Sequence, residues 1–242
     1  MATLPQWLQF IDDVTRRYTH GKHGMFSYPT ARPFGQPSAR LNKPSLEDIR
    51  KNLIAFYDNL NTTLAAIYSE RATEPVRRLR TEVPAGASHM EILGTMYQFI
   101  SEAYEACGAG WPDISFEQME KAWTDWAIFP NIAILMLPDA ALCYRIRPCG
   151  DDPDWCIFDD WSLQRYAPGA EPVLNRRIYH GDEDWKRIGD VSPVLFQDFS
   201  NMAAMQQGMK SHGFPGCRTN PLHESTISNH HRVIREHLFM KS

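Results

Sequence analysis

The chain has 242 residues, 43% hydrophobic and 22% charged, with a net charge of −4 at pH 7. A chain of that length buries its own core without a disulfide or metal staple, and its acidic balance lacks the basic face that nucleic-acid binding requires. No run of roughly 18 apolar residues is present, so no membrane-spanning helix is predicted.

The N-terminus, MATLPQWLQFIDD, has neither a basic n-region nor a long apolar stretch and does not read as a signal peptide. Cys107, Cys143, Cys149, Cys156 and Cys217 form no CxxC pair, which argues against a zinc site and for reduced thiols in a cytoplasm. Trp7, Leu8, Ile11 and Val14 recur at helical spacing and predict a short amphipathic helix over 5–18. Residues 19–44 hold Gly, Pro and His, with a strand expected at Met25–Tyr28. Ser45 and Asp48, with Pro44 before them, resemble a capping box. The helix that follows runs to about Ser69 and carries Leu46, Ile49, Leu53, Phe56, Leu60, Leu64 and Ile67 on one side. Residues 70–86 are polar and Arg-rich and read as a connection. Helices are then predicted from Ser88 to Cys107 and over 113–126. Tyr57, Tyr68, Tyr97 and Tyr104 fall at helical spacings and are expected in the core.

From there the pattern changes. Residues 131–137, 140–148 and 155–166 are rich in β-branched and aromatic residues, and Pro138-Asp139 and Gly150-Asp151-Asp152-Pro153 separate them. Such turn signals between apolar runs predict an antiparallel meander. In the last of these runs Trp155, Ile157, Asp159, Trp161 and Leu163 share one face, and Cys156, Phe158 and Asp160 the other. Asp160 is expected to pair with Arg145 or Arg147 across the sheet, because an acid inside a strand needs a partner or water. The GDDPD turn lacks the spacing of a calcium loop and reads as solvated. Helices over 192–211 and 221–239, the latter opened by Pro221, complete the chain. The whole reads as one α+β domain over 1–242, a curved antiparallel sheet packed against long helices.

Four segments together resemble the catalytic domain of the large subunit of Rieske-type aromatic-ring-hydroxylating oxygenases. They are DWAIFPNIAILMLPDAALCYRIRPCGDDPDWCIFDDWSLQRY at 125–166, PVLFQDFSNMAAMQQGMKSHGF at 193–214, NPLHESTISNHHRVIREHL at 220–238, and HGKHGMF at 20–26. The resemblance implies a helix-grip (START-like, SRPBCC) fold with a pocket between sheet and helices. It also implies a mononuclear iron held by two histidines and a carboxylate. The carboxylate maps onto Asp198, three residues before Asn201. The histidines belong just upstream of PQWLQFIDD, in a form close to HxxxTHP. Leu4 stands where the second is expected, and the first would precede Met1. The CxH and CxxH ligands of a Rieske cluster are absent from the sequence.

With the iron ligands missing, the expected chemistry is proton transfer without metal or other cofactor: a lyase, isomerase or dehydratase step on an aromatic or polycyclic small molecule. Asp198, flanked by Leu195, Phe196 and Phe199, is the candidate base, since a shielded carboxyl titrates high and suits acid/base work. His20, His23 or a tyrosine is the candidate acid. The HGKH spacing of the two histidines falls on glycines and predicts a loop rather than a metal-binding helix. Trp126, Phe129, Asn131, Phe196, Phe199 and Asn201 are the expected substrate contacts. His230 and His231 are expected to pack the last helix. No GxSxG, P-loop, HExxH or dinucleotide fingerprint occurs. Two alternatives stand beside this reading: a non-catalytic aromatic-ligand-binding or partner subunit, and the truncated catalytic half of a non-haem iron oxygenase. The resemblance further implies a homo-oligomer, with trimers common in the family.

Overall fold

Strand pairing far apart in sequence sets the frame. The computed structural model describes residues 16–27, 48–115, 118, 124–181, 193–221 and 224–239. The strands are β1 (Arg16–His20), β2 (His23–Ser27), β3 (Thr124–Ile128), β4 (Ile132–Met136), β5 (Ala140–Pro148) and β6 (Cys156–Gln164). They form one six-stranded sheet in the order β1-β2-β3-β4-β5-β6, antiparallel at every pairing. Among the described residues, four helices stand between β2 and β3: α1 (Ile49–Thr63), α2 (Glu70–Arg77), α3 (Leu79–Glu82) and α4 (His89–Ala106). Among the described residues, α5 (Pro193–Phe199), α6 (Met202–Met209) and α7 (Ser225–Phe239) follow β6. The α+β class and the antiparallel meander are as the sequence predicts.

The helix ends follow local chemistry. At α4, Ser88 Oγ accepts the Glu91 N–H at 3.3 Å and the Glu91 carboxylate accepts the Ser88 N–H at 2.7 Å, a complete capping box. At α1 the cap is Asp48, whose carboxylate accepts the Arg50 N–H at 3.1 Å. The Arg50 guanidinium, 2.7 Å away, holds that carboxyl down at about 2. The expected cap Ser45 lies outside the described residues, and α1 closes at Thr63 rather than near Ser69.

Five expectations need correction. Residues 70–86 are helical over α2 and α3, because Ala72, Val76 and Leu79 form a buried stripe beneath the charges. On the outside Arg77 pairs with Asp58, Glu70 and Glu74, and Arg78 with Glu82 and Glu102. Of the helix expected over 5–18, Arg16–Tyr18 belong to β1, and the residues before them lie outside the described set. Of that expected over 113–126, residues 113–115 are not helical, Gln118 is helical, and 124–126 belong to β3, drawn into pairing with β2 and β4. The helix expected over 192–211 is broken between Phe199 and Met202, and the last helix begins at Ser225 rather than near Pro221.

The core is built mainly by α1–α4. Leu53, Leu60, Ile67, Val76, Leu79, Ile92 and Met96 are almost wholly buried, each contributing about 1.5–3 kcal/mol. Tyr57, Tyr68, Tyr97 and Tyr104 are buried among them. Ala140 and Leu142 of β5 and Leu195 of α5 tie the sheet into this core. At the other end α7 lies across β1 and β2. Its approach is so close that a Cβ on Gly24 would stand 2.9 Å from Thr226 Cβ. No helix among the described residues is long and apolar enough to cross a membrane.

Candidate functional site

The register of β5 and β6 sets one cross-strand pair beside α5. Tyr144 stands opposite Asp160, and Phe158 follows on the same face, two residues before Asp160. Pro193 opens α5, Leu195 anchors it in the core, and Phe199 closes it over the sheet. The Phe199 ring lies 5.1 Å from Phe158 and 6.4 Å from Tyr144, and Tyr144 lies 5.3 Å from Phe158. These tilted and edge-on contacts form an aromatic wall, and Asp198 sits next to it on α5.

The electrostatics of this wall are one-sided. Burial raises the Tyr144 phenol, and the nearby charges of Asp160, Asp198 and Asp125 raise it further. Burial also raises Asp198, and it lifts Asp160 to about 6. Water reaches the outer side of both acids, which are exposed, while protein replaces it on the inner side. Neither has an ion pair or side-chain hydrogen bond among the described residues. A carboxyl held above its usual range is a stronger base once ionised, and a usable acid nearer neutrality.

The opposite sheet face carries different chemistry. Trp126, Ile134, Cys143 and Trp161 are in register across four strands, so Trp126 points away from the face that Phe199 covers. On that face Asp159, not Asp160, takes the arginines: Arg145 Nε donates to it at 3.0 Å and Arg147 Nε at 2.8 Å. These arginines, Arg147 foremost, hold Asp159 down at about 2. Arg145 also lies over the Trp161 ring at 5.1 Å. The expected partner of the arginines was one residue off, because alternation assigns faces but not register.

The histidines gather at the β1–β2 end. His23 Nδ1 accepts the Phe129 N–H at 3.1 Å. The Phe129 ring packs 5.7 Å from His230 and 5.0 Å from His237. His20 is exposed and faces His23 across the hairpin. The Asn131 amide donates to the Ile146 carbonyl at 2.7 Å. Phe196 is exposed at the surface of α5, and Asn201 caps α6 without a side-chain bond to its first turn. Asp198 and Phe199 are thus together, and so are His23 and Phe129. No hydrogen bond or ion pair links His20 or His23 to Asp198 among the described residues. Tyr144, Phe158 and Asp160 were not singled out as site residues from the sequence; the signal was the pairing of β5 with β6.

A separate small cavity lies among Tyr57, Tyr68, Tyr97, Trp111 and Asp139. It has room for about one water and none for an aromatic ring. Beside it Tyr104 donates to the buried Asp139 carboxylate at 2.7 Å.

Among the described residues no three His, Cys, Asp or Glu side chains converge as a metal-binding group. Among the described residues, His23 Nδ1 is already committed to a backbone N–H, and His223 lies outside the described residues. The described residues do not bring two histidines and a carboxylate together as a mononuclear iron of that kind requires. The family model for the ring hydroxylating alpha subunit (catalytic domain) matches residues 69–239. That span includes Phe129, Tyr144, Phe158, Asp160 and Asp198 and leaves out His20 and His23. No curated protein and no solved structure matches the chain.

Proposed function

The chain belongs to the family of ring hydroxylating alpha subunits, as their catalytic domain, and from that membership we propose that it receives an aromatic compound against Tyr144, Phe158 and Phe199 and moves a proton on it through Asp198. The frame we assign is the helix-grip one, a reading supported by α7 lying across the sheet. The observation that carries the function is Asp198 itself: a carboxylate with no ion pair among the described residues, raised by burial, beside three aromatic rings.

In the proposed step the substrate ring packs on the wall, and ionised Asp198 takes a proton from an acidic C–H or O–H of the ring substituent. The partly desolvated carboxylate gains more from that proton than a solvated one does. Returning the proton to a neighbouring position completes an isomerisation, and delivering it to a leaving group completes a lyase or dehydratase step. No step passes through iron, because the described ligand set does not fit it.

The test is turnover of a panel of hydroxylated and alkenyl arenes by EDTA-dialysed protein. We expect activity to survive chelation and Asp198→Asn to lower kcat by about 10²–10⁴-fold, the range of a general base. Loss of activity on chelation, with recovery on adding ferrous iron, would establish the other reading, the catalytic half of an iron oxygenase. That reading is favoured by the position of Asp198 on the helix where the family carries its iron carboxylate.

A further inference from the structure

Among the described residues, the charges that act on Tyr144 are acidic. Its electrostatic neighbours are Asp160 from β6, Asp198 from α5 and Asp125 from β3. The nearest basic groups of the sheet, Arg145 and Arg147, lie on the opposite face and are held there by Asp159. Lys210 of the segment after α6 is tied to Asp154 in the β5–β6 turn. The rings of Phe158 and Phe199 add π-faces that attract cations.

We infer that this site selects arenes bearing a protonated amine over neutral arenes and rejects arene carboxylates, with Asp160 as the residue that receives the ammonium group. Asp160 fits that role by position: it stands opposite Tyr144, two residues from Phe158, and has no cation of its own among the described residues. A ring on the Phe158–Phe199 wall would direct a one-carbon amine substituent toward it. An ionised carboxylate at the same place would meet Asp160 and Asp198 without a compensating arginine. This inference rests on the proposed aromatic site at Tyr144.

The experiment measures binding of benzylamine, benzyl alcohol and benzoate to the full-length protein at pH 7.5, by ligand-observed NMR and calorimetry. The three share ring and size and differ in charge. We expect benzylamine to bind about tenfold more tightly than benzyl alcohol, with benzoate weakest. Asp160→Asn should remove that tenfold preference, and a circular-dichroism spectrum matching the parent's shows that the variant is folded. Benzyl alcohol binding with no preference for the amine, or a preference that survives Asp160→Asn, overturns the selectivity alone. Failure of all three probes to bind overturns the aromatic site and the selectivity with it.

Discussion

Asp159 and Asp160 are consecutive residues of β6 that face opposite sides of the sheet. Asp159 is held down at about 2 by its arginines, so its contribution to stability is present above its unfolded value and is lost as pH falls toward 2. Asp160 is lifted to about 6 by burial. Its contribution is complete below the unfolded value near 4 and is lost as pH rises through 6. Asp160→Asn should therefore melt about 1–3 °C higher than the parent chain above pH 6, and the difference should close below pH 4 in a pH series of thermal scans. A gap independent of pH would mean that Asp160 does not titrate as assigned. The Tyr104–Asp139 bond belongs to the same scale. Tyr104→Phe leaves a buried carboxylate without its donor and should cost about 1–3 kcal/mol in urea unfolding. At this scale the sequence revealed residue types and faces. Alternation separates Asp159 from Asp160 on sight, but only the pairing of β5 with β6 sets Arg145 opposite the first and Tyr144 opposite the second.

The elements differ in how much of them local sequence decides. Ser88 and Glu91 announce α4, and the turn residues between apolar runs announce β4, β5 and β6. The pair α2 and α3 is obscured because only Ala72, Val76 and Leu79 mark its buried stripe among arginines and glutamates. β3 is obscured for another reason: its partners β2 and β4 include a strand about a hundred residues earlier, and no local pattern encodes that pairing. The packing of α7 on β2 is likewise non-local and depends on a missing side chain. Gly24→Ala would push a methyl against Thr226 on one side and Ala127 on the other. We expect a loss of about 1–3 kcal/mol by urea denaturation, with hydrogen exchange rising along α7 before α4. Equal protection in both helices would show that the contact yields without cost.

Across the molecule, one sheet face receives helices at both ends, α1–α4 over β5 and α7 over β1 and β2, with α5 reaching Tyr144 and Phe158. The family was readable in the sequence because its motifs survive in order and spacing over 125–238. The site was half readable: Asp198 and Phe199 stand together, whereas Trp126 faces away from them and His23 is engaged by Phe129. Candidate residues from separate segments converge only when strand register allows it, and register is a property of the whole sheet. The most direct test is a crystal structure with benzylamine bound. The ring should lie in van der Waals contact with Phe158 and Phe199, within reach of Asp198 and Asp160. A ring held on the Trp126–Trp161 face, or a metal gripped by Asp198 and two imidazoles, would contradict it.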